Sequence, residues 1–155
     1  MMDGGELFGE GREFRFMTLA RLTMYTVTAM VFGAYGSAVA QSLDYDYFKA
    51  NVQPIFLKKR VGHARCVVCH AGSNNAFRLQ ILAPGSTEWT EEQTRKNFET
   101  VKVLVKPGDP NGSHFLKHPL SPEAGGDEFH NGGHQFPTTD DPDWKTIAEW
   151  VRGAK

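Results

Sequence analysis

Methionine is absent from most of this chain. All five methionines lie at positions 1, 2, 17, 24 and 30. Cysteine is scarcer still: Cys66 and Cys69 are the only two. A pair this small excludes a disulfide-rich scaffold, which needs several bridges. Neither charge sign dominates. The formal net charge is -1, which gives no reason to expect nucleic acid or an acidic membrane surface as a partner. No internal repeat and no low-complexity tract is present. One apolar stretch stands out, and it is confined to the first 40 residues. What remains is an ordinary globular composition, 40% hydrophobic and 23% charged, of a length that suggests one domain.

The apolar stretch is LTMYTVTAMVFGAYGSAVA, residues 22–40. Arg12, Arg15 and Arg21 precede it, and it ends in Ala38-Val39-Ala40. A basic flank, an apolar core and a small-x-small end form the pattern of a secretory signal cleaved after Ala40. Met17 offers an alternative start with a shorter flank. The other reading is an uncleaved membrane anchor, since the stretch is near the length a span requires. Either reading places the domain from residue 41 onward outside the cytoplasm, periplasmic or otherwise exported. Membrane association follows only if the segment stays attached.

The chemistry concentrates in CVVCH, residues 66–70. Three chemistries use such a pair. Zinc is the first: His114 and His118, and His130 and His134, are H-x3-H pairs. However, the gap from Cys69 to His114 far exceeds the roughly 12–15 residues between the halves of a zinc finger. A redox dithiol is the second. It expects a preceding strand and a βαβ context, whereas a helical pattern precedes this motif, and His70 is left without a role. The third is covalent haem attachment, which uses all three residues: both sulfurs bond to the haem vinyl groups and His70 binds the iron. Export agrees with it, because attachment is made after export. The cofactor expected is one haem c, on Cys66, Cys69 and His70.

The remainder reads as helices joined by long loops. Asp44 opens a helical stretch in which Tyr45, Phe48, Val52 and Phe56 recur at helical spacing. Pro54 kinks it, Lys58, Lys59 and Arg60 suit its C-terminal end, and Gly62 breaks it. Thr90 caps a second helix over EEQTRKNFETVKVLV, with Phe98, Val101 and Val105 inward. The run 107–112 is a turn, and a short helix follows over 113–118. The long irregular region 119–142 has the character of a segment that wraps a ligand. Asp141 then caps the last helix with Pro142 at its first position. Trp144, Ile147, Ala148 and Val151 form its apolar stripe, with Trp150 near the edge. The fold class is all-α, about three helices with long loops around a buried cofactor.

A haem carrier of this kind has two axial ligands, most familiarly His and Met. Beyond the cleavage site there is no Met to serve. His63 lies on the attachment side of the motif. His114 and His118 read as exposed surface histidines. His130 and His134 stand among glycines that let backbone approach a cofactor closely, so one of these two is the expected iron ligand.

Taken together, Val52-Gln53-Pro54-Ile55-Phe56, the CVVCH motif, the run Val105-Lys106-Pro107-Gly108-Asp109-Pro110-Asn111-Gly112-Ser113, His130-Asn131-Gly132-Gly133 and DWKTIAEWVRG at 143–153 resemble a class I type monohaem cytochrome c domain. The resemblance is closest to planctomycete and acidobacterial variants with an H-x-G-G loop. It implies a cytochrome c-like fold in which the first and last helices cross beside the haem. It implies thioether bonds at Cys66 and Cys69, His70 as proximal ligand, and a distal ligand from the loop before the last helix. That ligand is often Met in the family; here the loop favours His130, with His134 as runner-up.

The function expected is an exported carrier of single electrons with bis-histidine ligation, serving redox partner proteins. It is not an enzyme. A peroxidase would need a distal acid–base group beside the iron, and only His134 offers one. The alternative is a haem-based sensor or small-ligand binder with an open or displaceable sixth site.

Overall fold

The structure is a computed structural model describing residues 42–155. The signal or anchor segment expected over 1–40 lies outside the described residues. Among the described residues the chain is all-α, with two isolated bridges in place of strands, Ala71 to Leu79 and Leu120 to Phe136. No helix among them is long and apolar enough to cross a membrane.

The N-terminal helix starts where Asp44 accepts a bond from the Tyr47 N–H at 2.7 Å. It begins as α1, Tyr45–Tyr47, widens to a π turn over Phe48–Val52 and tightens to a 3-10 turn over Gln53–Leu57. Pro54 explains the change of winding. It has no N–H to give to the ladder, so the bonding is wide before it and tight after it. The sequence predicts that Lys58, Lys59 and Arg60 end this helix. They do not: Lys58 is already extended. Lys58 and Arg60 instead turn toward the carboxylates of Asp141 and Asp143.

The motif forms α2, Cys66–His70, a short helix of its own. α3, Glu91–Lys102, begins at the predicted Thr90 with a full capping box to Gln93. It stops short of the predicted end; Val105 is still buried, but from the turn beyond the helix. α4 is His114–Lys117 and α5 is Pro142–Val151, with Asp141 as cap and Pro142 in its first turn, as its sequence predicts.

The core is aromatic. Phe48 packs against Phe56, Phe98 and Trp150. Trp150 is not at the edge of the α5 stripe, as its spacing suggests, but fully buried. Its indole N–H donates to the Asp44 carbonyl at 2.7 Å and ties the last helix to the start of the first. A polar knot crosses this core. Gln53 donates to Thr94 at 3.0 Å and accepts from Asn97 at 3.1 Å, and Asn97 accepts from the Gln80 N–H at 2.8 Å. Each polar side chain is buried and satisfied, which is the condition for tolerating it there.

Candidate cofactor site

Helical spacing arranges the motif. In α2, Cys66 and Cys69 stand three residues apart, and residues so spaced share a face. Val67 is buried and anchors the short helix to the core. His70 follows at the helix end, and its ring packs on Phe77 with centroids 4.5 Å apart.

The His70 ring is held from behind. Its Nδ1 lies 2.8 Å from the Phe77 carbonyl. A carbonyl only accepts, so Nδ1 is the protonated nitrogen and the neutral ring keeps its lone pair on Nε2. His130 repeats the device, with Nδ1 2.7 Å from the Gly133 carbonyl. Gly133 is at φ 75°, where only glycine is comfortable, and a Cβ there would meet His63 Nδ1 at 3.0 Å. Burial is the main force that pushes His130 below its ordinary pKa, so its ring stays neutral near pH 7.

The two rings lie close together and nearly parallel. The His70 and His130 centroids are 6.4 Å apart, with planes 18° from parallel. A metal held by both imidazoles at about 2 Å each would put the donor nitrogens about 4 Å apart, and the centroid spacing is compatible with that.

Both histidines and both cysteines line a cavity of about 440 Å³. Ile55, Phe56, Leu104, Phe115, Phe136 and Ile147 give it an apolar wall. Its volume falls in the usual range for a bound small molecule. An apolar crevice, two thiols at C-x2-C spacing on its rim and an oriented imidazole are the donor set a covalent haem requires, and these residues fit it.

The competing chemistries fit less well. Cys66 and Cys69 are unbridged, and burial pushes the Cys66 thiol up to about 11. A redox-active thiol needs the opposite shift. Neither thiol belongs to a convergent group of metal ligands among the described residues, which weighs against a zinc site built on the cysteines.

The remaining histidines lie around the cavity and the loop that carries His130. His134 does not line the cavity; its Nε2 bonds the Asp127 carbonyl at 3.0 Å. His63 adjoins the His130 loop at Gly133, and its Nδ1 is buried without a hydrogen-bond partner. His118 lines the cavity, and its ring centroid is 4.9 Å from that of His130. His114 is exposed as expected, but the pair gathers on Asp127. Sequence reasoning passed over Asp127 and read Arg60 only as a residue suited to a helix end. Neither lies in a motif, and both act across loops that carry no periodicity.

No family model, curated protein or solved structure matches this chain.

Proposed function

We propose that this chain is an exported c-type cytochrome, a carrier of single electrons with no substrate chemistry of its own. In this reading Cys66 and Cys69 hold one haem through thioether bonds, His70 is the proximal ligand and His130 the distal one. When bound, the haem supplies the chemistry: one iron that gains and loses a single electron.

The observation that carries the reading is the His70–His130 pair, nearly parallel and 6.4 Å apart over the apolar cavity. The chain's own residues supply the rest. The Phe77 and Gly133 carbonyls orient the two rings and make each Nε2 a better donor. The apolar wall offers the cavity a surface suited to a macrocycle, and burial favours the neutral form of His130. The packing of the first helix on the last through Phe48 and Trp150 supports a cytochrome c-like fold. The leader-like pattern over 22–40 supports export, and the partners are other redox proteins. Two histidines in place of His and Met set a potential below that of a His/Met relative, because Met raises it.

The test is the visible spectrum of the reduced protein, made in a host that attaches haem, with and without carbon monoxide. A haem spectrum that carbon monoxide leaves unchanged is the expected result. A clear shift means an open sixth position and replaces the carrier by a sensor. No haem spectrum at all overturns the reading.

A further inference from the structure

We propose that His114, His118 and Asp127 form a binding site for one divalent transition-metal ion at the edge of the cofactor cavity. The helix α4 prepares it. His114 opens α4 and His118 caps it, and positions four apart lie on one helix face. Their ring centroids are 4.9 Å apart. Asp127 brings one carboxylate oxygen to both: Oδ2 is 3.0 Å from His118 Nδ1 and 3.7 Å from His114 Nδ1. Ligand atoms of all three residues lie within 4.8 Å of one another. A single ion with bonds of about 2 Å holds its donors at most about 4 Å apart, so small side-chain rotations close the set.

The backbone holds Asp127 in place. Its N–H donates to the Lys117 carbonyl at 3.3 Å, and its own carbonyl accepts from His134. The carboxylate is ionised at neutral pH, held below its ordinary range first by the bonds from His118 and Lys117. Lys117 sits on the other oxygen, Oδ1, at 3.1 Å. It competes for the carboxylate at Oδ1, while Oδ2 accepts the His118 Nδ1 hydrogen bond, which an ion would replace as His118 moves its proton to Nε2. Two imidazoles and one carboxylate suit zinc, copper or nickel, whereas calcium and magnesium ask for oxygen throughout. A fourth position is left for water. His114 is exposed, so the ion enters from solvent. His114 and His118 also line the cofactor cavity, so the ion would sit beside the haem, but none of the three residues is a ligand assigned to the haem iron.

The experiment is calorimetric titration of the tag-free, haem-loaded chain, first stripped of metal by a chelator, with zinc ion. Copper ion serves as a spectroscopic probe of the same site. We expect one equivalent of zinc to bind, and copper to show coupling to imidazole nitrogens in electron paramagnetic resonance. His118→Ala and Asp127→Asn should each weaken zinc by tenfold or more. Lys117→Ala, which frees the carboxylate, should tighten it. Absence of binding, or an affinity that His118→Ala and Asp127→Asn leave unchanged, overturns the proposal. The visible spectrum, read on the same samples, reports the haem independently.

Discussion

The Arg60 guanidinium grips the Asp141 carboxylate by two parallel bonds, Nη1 to Oδ2 at 2.8 Å and Nη2 to Oδ1 at 2.9 Å. Arg60 also donates to the Gln135 carbonyl at 3.0 Å, pairs with Asp143 and lies over the Phe136 ring. One side chain thereby joins the segment before Cys66 to the loop after His130 and to the cap of α5. Both partners are largely buried, at 17% and 10% side-chain exposure. Removing one partner of such a pair strands the other charge, which costs about 3–5 kcal/mol. Arg60→Ala should therefore lower stability by that order in urea unfolding. Arg60→Lys should recover only part of it, because an ammonium keeps the charge and loses the fork.

The same pair sets an acid limit. Burial alone would raise the Asp141 carboxyl, but the bonds from Arg60 and from the Trp144 N–H outweigh it, and the folded pKa falls below the ordinary 3.8. A group depressed in the folded state contributes stability that is complete above its unfolded pKa and is lost as pH falls through its folded pKa. Stability should hold down to about pH 4 and decline below it. Asp141→Asn tests the cause. Asparagine still caps a helix well, so the variant should be less stable at pH 7 but show a shallower loss between pH 4 and 2 in acid titration followed by circular dichroism.

What could be read in advance follows from where the information lies. Thr90 caps α3, and Asp141 and Pro142 open α5; these signals are local, and the helices start where they say. The CVVCH spacing is likewise local, and it places both cysteines and His70 on one cavity. Pro54 announces the disturbance, which the structure takes up as a π turn before it and a 3-10 turn after it. Trp150 looks peripheral on its own helix wheel. Its burial depends on the Asp44 carbonyl, far away in the chain. The gathering of His114 and His118 on Asp127 depends on the path of an irregular loop, which no periodicity encodes.

The polar knot beneath α3 gives a third prediction. Asn97→Leu removes the donor to Gln53 and the acceptor of the Gln80 N–H, leaving one buried and one part-buried group unpaired. Each costs about 1–3 kcal/mol. The single variant should be severely destabilised. Adding Gln53→Leu removes one of the stranded groups, so the double variant should lose less than the sum of the two singles in a urea-based double-mutant cycle.

His130 is the member of the haem proposal most open to challenge, because His118 and His134 are close by. Their centroids lie 4.9 and 6.5 Å from that of His130. The hydrogen bonds of the rings distinguish them: His134 turns its Nε2 to the Asp127 carbonyl and His118 turns its Nδ1 to the Asp127 carboxylate, while His130 bonds through Nδ1 to the Gly133 carbonyl and its ring lies nearly parallel to that of His70. His130→Ala should therefore open the sixth position, so that carbon monoxide shifts the reduced spectrum. His134→Ala should leave that spectrum unmoved. His130→Met should raise the midpoint potential in a redox titration, within the roughly 0.8 V over which axial ligands set it. If His134→Ala admits carbon monoxide and His130→Ala does not, the distal ligand is His134, and the parallel pairing of His70 with His130 has a purely structural role.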